Sequence, residues 1–184
     1  MKAVGIDLTG SEDRPSGVAF LNDNRLIATA RLKSDSDIED FTLDSEPDVV
    51  SIDSPLSLPE NPEKIYRDCD LELKRRGIGV YWTLLPSMKN LTMRGISLAE
   101  KLRVRNMTVI ESYPGAAQDI LGIARKNKGV KLLADGLATF GIVGELNVSH
   151  DELDAVTAAI VGLLYLQGDY EALGCMILPK KPGV

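Results

Sequence analysis

Lys2-Ala3-Val4-Gly5-Ile6-Asp7-Leu8-Thr9-Gly10 is the stretch from which the rest of the chain is read. After Lys2 it runs through small and β-branched residues to Asp7, the pattern of a buried strand. The strand ends on a carboxylate, which is costly beside apolar neighbours unless it is paired, hydrogen-bonded or bound to a metal. Taken alone, such an Asp is more often a strand-end cap or a turn former than a ligand. Residues 9–16 form a turn, and the apolar run 17–21 predicts a second strand. Asn22-Asp23-Asn24 turns the chain into residues 25–32, where Leu26, Ala28 and Ala30 alternate with more exposed positions. Three strands joined by short turns predict an antiparallel meander.

Beyond the meander, residues 36–43 predict a short helix leading to a strand over 48–53, in which Val49, Val50 and Ile52 precede a second terminal carboxylate, Asp53. A helix between two strands is the natural crossover to a parallel partner. Residues 54–62 hold three prolines and read as a loop. Helical propensity over 63–76 stops at Gly77 and Gly79, and a further helix is expected over 97–104. A strand over 107–111 ends on Glu111, and Tyr113-Pro114-Gly115 turns the chain into a helix over 116–121. Ser149 and Glu152 form a capping box ahead of a long apolar run that stops at Gly168. So little polar face remains beyond its first turn that this helix is expected at the centre of the fold, covered by other elements. Residues 175–178 could add a short strand before Pro179.

With 184 residues, 44% hydrophobic and 26% charged, the chain has ordinary globular composition and the length for one core, so a single domain over 1–184 is expected. The longest mostly apolar stretch, 153–166, is shorter than the roughly 20 residues a spanning helix needs, and no basic segment followed by an apolar signal run opens the sequence. A soluble, cytoplasmic protein with no membrane partner is expected. Cys69 and Cys175 stand far apart with no second Cys or His at ligand spacing, which indicates neither a disulfide framework nor a thiolate zinc site.

The net charge of −6 hides a division along the chain. Residues 61–131 carry 14 Lys and Arg against 7 Asp and Glu, a balance of +7, and the remainder carries 7 against 20. Any single basic residue is ordinarily on a solvated face, but the block as a whole suits a polyanionic partner.

The acids then take on a pattern. Asp7, Asp53 and Glu111 each end an apolar strand, and Asp151 and Asp154 lie three apart on one face of the last helix. Asp151 alone could serve the helix dipole, whereas Asp154 enters the apolar face just before Ala155. Five oxygen ligands without a Cys or His cluster suit a hard divalent cation, magnesium or manganese rather than zinc. His150, the one histidine, divides evenly between a helix-start role and a catalytic helper.

This order of acids resembles the ribonuclease H-like superfamily. More narrowly, the whole chain is similar to the family labelled domain of unknown function 429, described as predicted nucleases. The landmarks are Gly5-Ile6-Asp7 with Gly10, Ile52-Asp53-Ser54-Pro55-Leu56, Arg67-Asp68-Cys69-Asp70, Glu111-Ser112-Tyr113-Pro114 and His150-Asp151-Glu152-Leu153-Asp154-Ala155. The resemblance implies a mixed five-stranded sheet, an antiparallel meander followed by parallel strands, with helices on both faces and a basic helical insertion around 61–106. It implies phosphodiester hydrolysis of nucleic acid by two metal ions roughly 3.5–4 Å apart. Asp7 would bridge the ions, Asp53 and Asp154 would each hold one, and Asp151 or Glu111 would complete the set or orient water. The substrate-binding candidates are Thr9, Ser54, Arg67, Lys74, Arg75 and Arg76.

Two rival readings stand beside the nuclease. A phosphotransferase of the sugar kinase and actin type also has an acid followed by Thr and Gly in its first loop, as Asp7, Thr9 and Gly10 do here. It needs two such domains and a Gly-rich phosphate loop, which this chain lacks. The other is a metal- or nucleotide-binding domain that keeps the fold without turnover. Tyr81 and Trp82, lying between basic segments, could stack on unpaired bases, but beside Leu84 and Leu85 they read more readily as a packing anchor.

Overall fold

The computed structural model describes residues 1–180. Strands β1 (Lys2–Asp7), β2 (Ser16–Asn22) and β3 (Arg25–Leu32) form the expected antiparallel meander. Helix α1 (Asp35–Ser45) then crosses over to β4 (Val49–Asp53), which pairs parallel with β1. Strand β5 (Val109–Ser112) lies parallel to β4, β7 (Met176–Pro179) parallel to β5, and β6 (Tyr170–Leu173) antiparallel to β7 at the edge. The order is β3-β2-β1-β4-β5-β7-β6. The mixed α/β sheet is as expected, but it has seven strands rather than five. Strand β7 answers to the short strand expected over 175–178, and β6 pairs with it to complete a hairpin at one edge. Half of β6 is exposed and only four residues long, so it offers neither the length nor the alternation by which a strand is read from sequence.

Side-chain alternation sorts the core into two layers. Ala3, Ala19 and Val49 face one way, under α4 (Pro114–Leu121), α5 (Val130–Phe140) and α6 (His150–Gln167). Val4, Ile6, Val50 and Ile52 face the other, under α1 and α3 (Lys89–Val104). Helix α2 (Asp68–Arg75) packs Leu73 against Met176 and Leu178 of β7. Helix α6 is the central element. Ser149 and Glu152 make both bonds of the capping box, residues 153–163 are all buried, and Gly168 closes the helix in the left-handed conformation.

Two glycines let α6 descend onto the sheet. A Cβ at Gly5 of β1 would collide with the Ala155 carbonyl and the Ala159 amide, and one at Gly17 of β2 would collide with the Asp151 carbonyl. Backbone thus rests on backbone at the first turns of α6.

Other helix bounds differ from expectation for local reasons. The helix expected over 63–76 begins at Asp68, where the Arg67 amide is held by the Asp70 side chain. Helix α3 starts eight residues earlier than expected, at Lys89, because Met88 caps it with no side-chain signal. Helix α5 lies outside the expected elements; it opens after Gly129 and closes at Gly141 without a capping side chain. Among the described residues no helix is long and apolar enough to cross a membrane.

Gly5→Ala should lower the unfolding free energy by about 3 kcal/mol in urea denaturation, because neither backbone can yield cheaply. Gly79→Ala, whose added methyl meets open space, should stay within about 0.5 kcal/mol of the parent. Equal effects would mean that the helix-to-sheet contact is not constrained at Gly5.

Candidate active site

Asp7 and Asp53 are register partners at the carboxyl ends of two adjacent parallel strands, and neighbouring strands lie about 4.8 Å apart. Alternation puts both on the α6 face, with Gly5 on β1 and Ser51 on β4. The third acid comes from the first turns of α6. Asp154 is buried, and each of its oxygens is taken: Gln118 Nε2 of α4 donates to Oδ1 at 2.7 Å, and Lys126 Nζ lies 2.7 Å from Oδ2. Gln118 also donates to Thr157 Oγ1 at 3.1 Å, which fixes the amide. Asp151, one turn earlier, is 2.8 Å from His150 Nδ1 and 3.5 Å from Arg31 Nη2.

The charges of this cluster are interdependent. Burial pushes the Asp7 carboxyl up to about 7, with repulsion from Asp154 and Asp151 adding to the shift and Lys126 opposing it. Burial likewise raises Asp53 well above the ordinary carboxylate range, followed by repulsion from Asp7 and Asp154. Burial alone would lower the Lys126 ammonium, but its bond to Asp154 and the attraction of the surrounding acids outweigh that and raise it. A single ammonium therefore offsets part of a larger negative charge.

The donor chemistry fits a hard divalent cation, since every candidate ligand is a carboxylate oxygen. The arrangement is not a closed ligand set: among the described residues no three acids, Cys or His are gathered tightly enough to hold an ion. Asp154 is turned toward Lys126 and Gln118. An ion approaching Asp154 would share its oxygens with Gln118 and compete with the charge of Lys126.

Glu111 is not brought to this cluster. It is the register partner of Ile52, so it belongs to the α1 and α3 face, opposite Asp7 and Asp53. There it is buried, accepts from the Leu56 amide at 2.8 Å, and takes two bonds from the Arg67 guanidinium, both at 2.7 Å. Arg67 also bonds both oxygens of Asp70, and Thr83 Oγ1 donates to Asp70 at 3.0 Å. Arg67 and Glu111 are thus the centre of a buried, saturated network that ties the loop 54–67 and α2 to β5.

The remaining substrate-binding candidates are also engaged. Thr9 Oγ1 donates to the Arg14 carbonyl at 2.8 Å, and Arg94 Nη1 donates to the Thr9 carbonyl at 2.8 Å, which shapes the β1–β2 turn. Ser54 is buried and donates to the Leu91 carbonyl at 3.1 Å, where a Cβ on Gly95 would strike it. Lys74 Nζ lies 4.6 Å from the centre of the Trp82 ring, and Trp82 leans on Tyr66. Arg76 is bound to Glu171 of β6 by two bonds of 2.8 and 2.7 Å, and Arg75 is paired with Glu72. Glu171 belongs to the edge strand, three sheet positions away from β4.

Lys126 and Gln118 are the site residues that sequence reading passed over. Lys126 sits on a 3-10 turn, Lys126–Lys128, inside a run of basic residues with nothing to set one apart. Gln118 carries a faint signal, a single amide among Ala116, Ala117 and Ile120.

No protein-family model matches the sequence, and no curated protein matches it. The fold does have solved counterparts. RuvC from Thermus thermophilus in complex with a Holliday junction substrate superimposes with a TM-score of 0.60 at 10% identity, covering 91% of this chain and 96% of that one. A further structure of Thermus thermophilus RuvC gives a TM-score of 0.53 at 13% identity, covering 91% and 97%. The fold is ribonuclease H-like.

Two outcomes follow from this geometry. Between its ordinary value of 3.8 and about 7, folded Asp7 holds a proton that the unfolded chain has released. Stability without divalent ions should therefore fall as pH rises through that window, and Asp7→Asn should flatten the slope in denaturation series with a chelator present. Arg67→Ala should cost about 3–5 kcal/mol in urea denaturation, because Glu111 and Asp70 are left buried without their cation; a loss below about 1 kcal/mol would mean the network is not structural.

Proposed function

We propose that the chain is a nuclease of the ribonuclease H-like superfamily, in the narrower domain of unknown function 429 family, that hydrolyses nucleic-acid phosphodiesters with magnesium or manganese. The observation that carries this reading is the Asp7–Asp53 register pair with Asp154 delivered above it from α6. Asp7, Asp53 and Asp154 would hold the ions, with Asp151 completing the acidic wall. Divalent ions bound there would neutralise phosphate charge and stabilise both the attacking and the leaving oxygen.

The chain's own residues prepare that site. Gln118 fixes the orientation of Asp154 through one oxygen and leaves the other to Lys126. Lys126 holds part of the acidic charge in check, which keeps the cluster folded before ions arrive. Gly5 and Gly17 set the depth at which α6 presents Asp154. Glu111 and Arg67 act at a distance, by holding the loop that follows Asp53. The reading includes a nucleic-acid partner and a cytoplasmic setting, and the junction DNA in the RuvC complex makes a four-way DNA junction the first substrate to try, beside linear duplex and single strands.

A second reading rests on the Lys126–Asp154 ion pair. Here the ammonium takes the place of a cation permanently and the domain binds nucleic acid without cutting it. The two readings separate by experiment. In the nuclease, Asp7→Asn, Asp53→Asn and Asp154→Asn should each lower cleavage by more than the roughly 10–100-fold that losing an outer-shell partner costs, with substrate binding level or tighter. Millimolar manganese should raise the melting temperature of the parent protein, and should raise that of Lys126→Gln by more, because the competing ammonium is gone. A melting temperature indifferent to manganese in both proteins favours the binding domain.

A further inference from the structure

We propose that Cys69 and Cys175 are a hydroperoxide-reactive dithiol, with Cys175 the attacking sulfur and Cys69 the resolving one, which close to an intramolecular disulfide. The two lie 106 positions apart in sequence, yet their sulfurs stand 3.4 Å from one another. Cys69 is on α2 and buried; Cys175 is in the turn between β6 and β7 and exposed. The exposed sulfur opens on a cavity of about 390 Å³ lined by Ser57, Lys64, Arg67 and Cys69 among others, large enough for a small peroxide.

The surroundings of Cys175 are built to hold a thiolate. Arg67 Nη1 donates to its sulfur at 3.2 Å and Ser57 Oγ at 3.4 Å, while the Cys69 thiol is placed to donate as a third. Arg67 is itself held by Glu111 and Asp70, so the guanidinium is fixed in place by bonds it makes elsewhere. The bond from the Cys69 thiol is the largest influence; burial and the negative charge of Glu111 oppose it, Arg67 and Ser57 assist it, and the balance brings Cys175 down to about 7. Cys69 is shifted in the opposite direction, by its bond to Cys175 and by burial, and keeps its proton. An exposed thiolate beside a buried thiol is the division of labour that sulfenate formation and resolution require.

The chemistry balances in two steps. The Cys175 thiolate attacks the terminal oxygen of a hydroperoxide, the S–O bond of the sulfenic acid forms as the O–O bond breaks, and the other fragment leaves as hydroxide or alkoxide, which takes from solvent the proton Cys175 released on ionising. Cys69 then attacks the sulfenic sulfur, the S–O bond breaks, and the hydroxyl leaves as water with the Cys69 proton. The two thiols have lost two electrons and two protons, and the peroxide has gained them. The bond ties α2 to the β6–β7 turn, and a dithiol reductant reverses it.

The test uses the fully reduced full-length protein and hydrogen peroxide. After a short exposure, free thiols are blocked with a maleimide, and the unreduced protein is digested and mapped by mass spectrometry. The expected product is the Cys69–Cys175 cross-linked peptide from a single chain, with no maleimide on either cysteine and full uptake restored by dithiothreitol. The oxidised protein should also unfold at higher urea concentration, since a long loop is now closed. In Cys69→Ser, Cys175 should stop at the sulfenic acid and be captured by dimedone, and maleimide capture of Cys175 in the parent should follow a midpoint near pH 7. The proposal is overturned if the parent protein, whose folding needs no variant, gives cross-links only between chains, passes to sulfinic acid at Cys175 without the cross-link, or leaves both thiols free at peroxide levels that oxidise the denatured chain.

Discussion

The depth at which α6 meets the sheet governs the rest of the molecule. Gly5 and Gly17 have no Cβ because the backbone of α6 occupies that space, at Ala155, Ala159 and Asp151. Side chains larger than hydrogen would lift the helix and carry Asp154 away from the strand ends. The buried face of α6 is rich in Ala at the contact and larger at its far end, where Ile160 and Leu163 join the core. Close packing of this kind transmits small changes in volume, so the first turns of α6 couple the sheet to the acids with little slack.

Charge in this molecule is managed in two separate ways on the two faces of the sheet. On the α6 face the acids outnumber the cations, and the imbalance is carried by raised carboxyl groups on Asp7 and Asp53 and by the single ammonium of Lys126. On the opposite face Glu111 and Asp70 are two carboxylates to the one guanidinium of Arg67, and their oxygens are further met by the Leu56 and Arg67 amides and by Thr83. A network whose carboxylate oxygens are met by donors rigidifies, whereas buried carboxylates that repel one another remain open to a cation, which is the physical difference between Glu111 and the Asp7–Asp53 pair. The basic residues of α2 belong with the first kind: Arg76 spends its charge on Glu171 and Glu72, and Lys74 lies over Trp82.

By itself the sequence determined the meander, the parallel return to Asp53 and the centrality of the helix from Ser149, whereas the meeting of Asp7 with Asp53 was implied by the resemblance and is fixed by the register of β1 on β4. The first three follow from local rules: small and β-branched runs make strands, a capping box starts a helix, and parity along a strand decides which side a residue faces. Parity is also where Glu111 escaped, since an acid at a strand end looks alike on either face until register is known. A one-residue difference in pairing decides between the aspartates and Arg67 as its neighbours. The tertiary structure alone decided the partners of charged and sulfur-bearing side chains. Lys126 reaches Asp154, Arg76 reaches Glu171, and Cys69 meets Cys175 across 106 positions. Such contacts leave no periodic trace in a sequence, because they depend on where whole elements come to rest and not on the conformational preferences of the residues that make them.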